Sequence, residues 1–272
     1  MIDRFRASDS IEIAYCVDDF TDPWCKKQMV ILLHSAMGNS QRFYAWVPDL
    51  ARRYQVIRMD LRGHGASSVP PEETPLSMNR LVQDVLELMD HLQIASAHFV
   101  GNSAGGYVTQ NLAMSHPERV KSASLFGSTP GLKNSQAASW LPQVAEIGLR
   151  PFLAKTIAER FDLDDTDPGI IEFFLDQCAT NDTDYIARFI GLMSTLDWSE
   201  RLGEIKCPTL IVMPGAETVG STENYDVMRD TIPDVEFIVY DGMPHNICDA
   251  VSDRCVNDVL SFLKRRFDDQ DE

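Results

Sequence analysis

The chain has few basic residues for its length. Among 272 residues, 24 lysines and arginines stand against 41 aspartates and glutamates, which gives a formal net charge of −17 and a pI near 4.7. Such a charge repels nucleic-acid phosphates and anionic membrane surfaces. We therefore expect neither a nucleic acid nor a membrane as a partner, and we expect a cytoplasmic protein.

Long apolar runs and metal-binding motifs are also missing. The first residues, MIDRFRASDSIEIAY, carry charges where a secretory signal needs an apolar core, and no later run is long enough to span a bilayer. The six cysteines are scattered without C-x-x-C spacing, so free thiols are expected. No H-E-x-x-H, phosphate loop or G-x-G-x-x-G is present, so we expect no metal and no cofactor. The ending DDQDE is expected to be a solvated tail.

Short apolar runs bounded by turn residues alternate with amphipathic stretches. The apolar runs are MVILLH, QVIRMD, AHFVG, SASLFG, TLIVMPG and EFIVYDG. Between two of them, LVQDVLELMDHLQI places Leu81, Val85, Leu88, Met89 and Leu92 on one face of a helix. Strands that are apolar on both faces and alternate with helices predict an α/β fold, with a parallel sheet between helices.

The alternation breaks between about Gly131 and Arg201. LPQVAEIGLRPFLAKTIAERF, GIIEFFLDQC and DYIARFIGLMSTL are typical of consecutive helices without intervening strands. Such an insert favours a helical cap over the carboxyl edge of the sheet, where open α/β sheets bind ligands. The predicted organisation is a core in two parts, 1–130 and 202–272, with a cap at 131–201. The alternative is a separate helical domain with no role in the site.

The stretch GNSAGG at residues 101–106 follows the apolar run HFV and precedes a helical pattern. G-x-S-x-G between a strand and a helix is the pattern of a nucleophile elbow, in which small flanking residues allow a very tight turn. The Ser103 hydroxyl would then be exposed above the sheet. The N–H of Ala104, at the head of the helix, would point into the same space and could bind an oxyanion.

A serine hydroxyl needs a base, and the base needs an orienting acid. Of the six histidines, His245 is the best placed, because it follows the last predicted strand and precedes the final helical pattern. The acid should follow the preceding strand, TLIVMPG, after which Glu217 is the first carboxylate. Glu223 and Asp226 remain alternatives.

Taken in order, HSAMGNS, DLRGHGASSVPP, GNSAGG, CPTLIVMPGAE and GMPHN resemble the motifs of α/β-hydrolase-fold serine hydrolases over nearly the whole chain. LRGHGASSVPPE and the run through HFVGNSAGG are most similar to 3-oxoadipate enol-lactonases. The triplet GNS also resembles the carbon–carbon bond hydrolases that act on ring meta-cleavage products. The resemblance implies a mostly parallel, eight-stranded sheet with helices on both faces, a helical cap and a Ser-His-acid triad.

The chain departs from the family pattern at two places. The position of the usual aspartate falls on Thr218, whereas Glu217 lies 28 residues before His245, close to the family's usual interval. HSAMG stands where many relatives have histidine followed by glycine, which makes the Ala36 N–H the second oxyanion donor beside Ala104. Ser35 replaces that glycine, which bears on the backbone angles of the loop. His64, in RGHG, is interpreted as a hydrogen-bonded packing residue.

The expected substrate pocket draws on the helical insert. Met37, Trp140, Phe152 and Trp198 are predicted as its walls, with Phe173 and Phe174 as further candidates; the alternative is that these residues are simply core. A substrate carboxylate would pair with Arg150, Arg160 or Arg188, unless these arginines form surface ion pairs.

The reaction that these features predict is hydrolysis of a small-molecule carboxylic ester or lactone through an acyl-enzyme. Two alternatives stay open: carbon–carbon cleavage of a vinylogous diketone acid, which also predicts a cationic pocket, and a ligand-binding receptor with the same fold. A homodimer is left open as well.

Overall fold

The computed structural model describes residues 1–133, 135 and 137–267. The predicted solvated tail, 268–272, lies outside the described residues. The strands are β1 (Asp3–Arg6), β2 (Glu12–Asp18), β3 (Met29–Leu33), β4 (Gln55–Met59), β5 (Ala97–Asn102), β6 (Val120–Phe126), β7 (Thr209–Pro214) and β8 (Val235–Tyr240). The α-helices are α1 (Val47–Leu50), α2 (Met78–His91), α3 (Ala104–Ser115), α4 (Ala137–Ile147), α5 (Leu149–Lys155), α6 (Pro168–Ala179), α7 (Thr183–Met193), α8 (Thr222–Thr231), α9 (Ile247–Ala250) and α10 (Ser252–Phe267).

Within the described residues the strands form one eight-stranded sheet in the order β1-β2-β4-β3-β5-β6-β7-β8. The pairs β1–β2 and β2–β4 are antiparallel, and every other neighbouring pair is parallel. The predicted fold class, a mostly parallel α/β sheet, is therefore confirmed. The strand order reverses around β3, so the loop after β3 and the turn after β5 lie side by side. Such a switch point is where open α/β sheets bind ligands.

The sheet is covered on both faces because its strands are apolar on both faces. In β3, Ile31 and Leu33 pack into one core cluster, while Val30 and Leu32 pack into the other. The first cluster contains the predicted apolar face of α2, and the second contains the buried residues of α10. Full burial of each such aliphatic side chain contributes about 1.5–3 kcal/mol.

Between β6 and β7 the described part of the chain contains four α-helices and no strand. These helices pack on one another, α4 against α7 and α5 against α6. Ser77 caps α2, Asp167 caps α6 and Asp182 caps α7, each by accepting a backbone N–H at the helix start. The consecutive helices agree with the pattern of the sequence, whereas the domain boundaries at 131 and 201 stay predictions.

Among the helices of the described segments, none combines the length and the apolar character that crossing a bilayer requires. The cytoplasmic location inferred from charge stays a prediction.

Candidate active site

Ser103 occupies the sharp turn between β5 and α3. Its backbone has φ 50° and ψ −114°, a conformation that costs a non-glycine residue on the order of 1–3 kcal/mol. A Cβ on Gly101 would lie 2.4 Å from the Gly106 Cα, and one on Gly105 would lie 2.0 Å from the Leu33 carbonyl oxygen. Only glycine fits at these two positions, so the G-x-S-x-G spacing follows from the close approach of β3, β5 and α3.

Three polar side chains, from loops far apart in sequence, meet at this turn. His245 follows β8, and its Nε2 lies 3.3 Å from the Ser103 Oγ across 142 residues of sequence. Its Nδ1 lies 2.7 Å from the Glu217 Oε2, in the loop after β7. Because a carboxylate only accepts, Nδ1 carries the proton, which leaves Nε2 free to accept the serine proton. The structure therefore brings together the predicted nucleophile, base and acid.

Glu217 is held by donors on both carboxylate oxygens. Its Oε1 accepts the Val219 N–H at 2.7 Å and the Gly220 N–H at 3.2 Å, and its Oε2 also accepts the Tyr225 hydroxyl at 3.4 Å. Burial alone would raise the pKa of Glu217, but His245 and the two backbone N–H groups outweigh it and hold that pKa below its usual value. The group is thus an anion that faces the imidazole.

The alternative acids are not in this cluster. Asp226 is exposed on α8 and pairs with Arg229 at 2.7 Å, and Glu223 is exposed on the same helix. The exposed side chain of Thr218 donates to the Glu159 carbonyl oxygen at 3.4 Å.

The two predicted oxyanion donors lie beside Ser103. Ala104 is the first residue of α3, so its N–H has no partner within the helix, and Ala36 lines the same cavity as Ser103. Within the described part of the chain, neither N–H donates to a protein acceptor. The His34 Nδ1 donates to the Ser35 carbonyl oxygen at 2.8 Å, and this bond fixes the peptide unit that carries the Ala36 N–H. Two unpaired donors are therefore available to an anion next to the serine.

A small cavity of about 50 Å³ adjoins the serine. Of the predicted walls, Met37 and Trp140 line it, as does Phe174, but Phe152 and Trp198 do not. Phe152 packs behind Trp140 with its ring centroid at 6.2 Å. Trp198 packs edge-on against Tyr107 and donates its indole N–H to the Gln110 Oε1 at 2.9 Å. Phe152 and Trp198 are therefore core residues and not walls of the cavity, as the alternative interpretation predicted.

The three candidate arginines differ in their surroundings. Arg150 is half-exposed and pairs with Glu172 and Asp176, and Arg188 donates to backbone carbonyl oxygens of residues 71 and 74. Arg160, in contrast, is only 5 % exposed and lines the cavity.

The Arg160 guanidinium has no close carboxylate partner among the described residues. Its Nη1 donates to the backbone and side-chain oxygens of Thr156, and its nearest acid is Glu159 at 3.7 Å. Burial lowers the pKa of Arg160. A buried cation without an ion partner at hydrogen-bond distance is costly, and an anionic ligand in the cavity would offset that cost.

Three further polar residues line the cavity and were not among the predicted site residues. Asn246, directly after His245, is buried, and its Nδ2 has no hydrogen-bond partner among the described residues. Its backbone N–H donates to the Arg160 carbonyl oxygen at 3.0 Å, so the two residues are neighbours, and both line the cavity. Ser35 and Arg42 are the other two. For Asn246, adjacency to the histidine was an available signal.

His64 is fully buried, and its Nδ1 donates to the Arg62 carbonyl oxygen at 3.0 Å. Its ring packs edge-on against Phe189 of α7, 4.7 Å between centroids. Burial lowers the pKa of His64 to about 3, so the ring is neutral.

Comparison with known proteins gives consistent matches. Residues 28–158 match the family model described as "alpha/beta hydrolase fold". The chain is 33% identical over 171 residues to 3-oxoadipate enol-lactonase 2 of Acinetobacter baylyi, a match that covers 61% of this chain and 63% of that protein. The chain thus spans less than two thirds of the length of that curated relative.

Two solved structures cover nearly the whole chain. A hydrolase from Pseudomonas aeruginosa PA01 superposes with a TM-score of 0.86 at 28% identity, covering 96% of this chain and 98% of that one. The enol-lactonase from Burkholderia xenovorans LB400 superposes with a TM-score of 0.88 at 21% identity, covering 96% and 100%.

Proposed function

We propose that this chain, which has the α/β-hydrolase fold and is similar in sequence to a protein named 3-oxoadipate enol-lactonase, hydrolyses a carboxylic ester or lactone through an acyl-enzyme. The observation that carries the proposal is the hydrogen-bonded series from Ser103 through His245 to Glu217, at 3.3 and 2.7 Å. A serine within hydrogen-bond reach of an oriented imidazole is the arrangement that activates a hydroxyl nucleophile.

In the proposed mechanism the Ser103 oxygen attacks the substrate carbonyl carbon while His245 Nε2 takes the hydroxyl proton. The carbonyl oxygen becomes an oxyanion, which the N–H groups of Ala36 and Ala104 stabilise. Each such donor contributes about 3–4 kcal/mol of transition-state stabilisation. The imidazolium then gives its proton to the leaving alkoxide, leaving an acyl-serine. Water attacks the acyl carbon as His245 takes its proton. The imidazolium then returns that proton to the Ser103 oxygen as the bond between this oxygen and the acyl carbon breaks, and the carboxylic acid leaves.

Arg160 supports a substrate that carries a carboxylate. It is the one of the three candidate arginines that lies buried at the cavity, and it lacks a carboxylate within hydrogen-bond distance among the described residues. Asn246, with its unpartnered amide N–H, stands next to it. A guanidinium fork with a neighbouring amide donor suits a carboxylate. We place the cap at 131–201, because α4 to α7 supply Trp140, Phe174 and Ile190 to the cavity.

The same arginine favours a second candidate reaction, hydrolytic carbon–carbon cleavage of an acidic vinylogous diketone. That substrate is also an anion, and the same three residues would act after its ketonisation. The two reactions differ in the bond that breaks. Loss of the visible dienol absorbance with release of a carboxylic acid would identify carbon–carbon cleavage, whereas release of an alcohol or a ring-opened hydroxy acid would identify ester or lactone cleavage.

The test is hydrolysis of p-nitrophenyl esters and simple lactones by the wild type and by Ser103→Ala. We expect turnover by the wild type, loss of at least about 10³-fold in Ser103→Ala, and a fluorophosphonate adduct on Ser103 in the intact mass. The matched control is Ser122→Ala, since Ser122 is a buried, hydrogen-bonded serine at the amino end of the strands. Stabilisation by a ligand without any turnover would instead indicate a receptor.

A further inference from the structure

Ser35 lies in the loop after β3, one residue before Ala36. It is 7 % exposed and lines the same cavity as Ser103. In the motif HSAMG this residue places a hydroxyl directly before the Ala36 N–H. The hydroxyl of Ser35 is therefore a polar group at the site for which the proposed mechanism has no use so far.

A buried ion pair fixes the orientation of this hydroxyl. The Arg42 Nη1 donates to the Ser35 Oγ, while its Nε donates to the Asp249 Oδ1 at 2.9 Å and its Nη2 donates to the Asp249 Oδ2. The side chains of Arg42 and Asp249 are 4 % and 6 % exposed. Asp249 lies on α9, directly beyond His245. The ion pair thus ties the loop that carries Ala36 to the segment that carries the imidazole.

The chemistry of guanidinium decides which way the Ser35 proton points. An arginine has only donors, so Ser35 must be the acceptor in its bond with Arg42. The Ser35 O–H proton cannot lie on that bond and must point elsewhere. No described protein acceptor receives it. A hydroxyl whose oxygen already accepts from a cation is also polarised, which makes it a stronger donor.

We propose that Ser35 is a catalytic residue whose hydroxyl is the third donor to the oxyanion, beside the N–H groups of Ala36 and Ala104. The inference rests on the proposed function and adds a side-chain donor to its mechanism. The Ser35 proton stays bonded to the Ser35 oxygen throughout the reaction. Its hydrogen bond to the substrate oxygen shortens as negative charge develops there and lengthens again when that charge is lost. Arg42 and Asp249 are positioning residues, because they act on the oxyanion only through Ser35.

The decisive variant is Ser35→Ala, with Ser35→Thr as the version that keeps a hydroxyl. For Ser35→Ala we expect kcat for p-nitrophenyl butyrate to fall about 10- to 100-fold with KM changed by no more than about twofold, because the contact forms in the transition state. Ser35→Thr should recover most of that loss. The rate of fluorophosphonate labelling at Ser103 and the affinity for a trifluoromethyl ketone, which forms a tetrahedral oxyanion on the serine, should fall in parallel with kcat/KM.

A merely structural role for Ser35 gives a different pattern. Ser35→Ala also removes the acceptor of the Arg42 Nη1, and this loss lowers the Tm whether or not Ser35 binds the oxyanion. A lower Tm alone therefore does not distinguish the two roles. Trifluoromethyl ketone affinity and labelling rate within about twofold of the wild-type values would overturn it. Ser122→Ala provides the matched loss of a buried hydroxyl and should leave both readouts unchanged.

The proposed function and this inference fail in distinguishable ways. If Ser103→Ala keeps wild-type ester hydrolysis, the proposed function is wrong and the inference falls with it. If Ser103→Ala is inactive while Ser35→Ala keeps wild-type kcat, only the third donor is refuted.

Discussion

Replacing Glu217 by glutamine keeps the length of the side chain but removes one charge and one acceptor oxygen. In the structure four donors converge on the carboxylate: two backbone N–H groups on Oε1, and the imidazole N–H and the Tyr225 hydroxyl on Oε2. An amide has one oxygen and one NH₂ group. In either orientation of the glutamine amide, its NH₂ group faces donors that the carboxylate oxygen accepted in the wild type.

The backbone decides which orientation glutamine takes. The N–H groups of Val219 and Gly220 cannot become acceptors, so we expect the amide oxygen to face them and the NH₂ group to face His245. The imidazole can respond by moving its proton to Nε2, so that Nδ1 accepts from the amide. In that tautomer Nε2 cannot take the Ser103 proton. Comparable acid-to-amide changes in Ser-His-acid relays cost about 10⁴-fold in kcat, which is about 5.5 kcal/mol.

The assay is steady-state hydrolysis of p-nitrophenyl butyrate between pH 6 and 10. We expect kcat of Glu217→Gln to be about 10³- to 10⁴-fold below wild type, with KM little changed. Glu223→Gln is the matched control, because it makes the same change on an exposed side chain of α8 and should keep wild-type activity. The reasoning is refuted if Glu217→Gln retains more than about a tenth of wild-type kcat.

Three further predictions follow from the site. The folded-state pKa of Glu217 lies below its unfolded value of about 4.3, so its charge stabilises the fold above pH 4.3. This stabilisation is lost as the pH falls through the lower folded-state pKa. The difference in Tm between the wild type and Glu217→Gln, measured by differential scanning fluorimetry, should therefore become smaller from pH 7 to pH 3. Arg160→Gln should lower kcat/KM for the mono-p-nitrophenyl ester of glutaric acid about 10- to 100-fold relative to kcat/KM for p-nitrophenyl butyrate, because a hydrogen-bonded charge pair contributes about 1.5–3 kcal/mol. If the ratio of kcat/KM for the two esters is unchanged, Arg160 does not bind the substrate carboxylate. Gly105→Ala would place a Cβ 2.0 Å from the Leu33 carbonyl oxygen, so its Tm and its esterase activity should both drop, and a fully active variant would show that the turn is looser than described.

The fold could be predicted where burial left a simple pattern in the sequence. Strands β3 to β8 coincide with the six apolar runs, because these strands are covered on both faces. The first two strands were not among these runs. β1 buries only Phe5, so it has no apolar pattern of its own, whereas β2 buries four residues in a row, 13–16, a run that the prediction did not include.

The positions of Ser103, His245 and Glu217 could be predicted because each follows a strand whose carboxyl end lies at the same edge of the sheet. The cavity was harder. Phe152 and Trp140 are both buried residues of neighbouring helices, and the sequence does not tell which of two buried side chains faces the cavity. The pair Arg42 and Asp249 joins residues 207 apart, and nothing in the local sequence marks either as buried.

The strained backbone at Ser103 also bears on how stable this protein can be. Glycine would adopt the same backbone angles without the steric penalty, so the elbow is a position where the native residue is not the one that folding alone would favour. The single substitution Ser103→Gly would thus give a more stable protein without a nucleophile. Selection for thermal tolerance alone would drive the chain toward it, so any directed-evolution campaign on this protein should screen for turnover and heat resistance together.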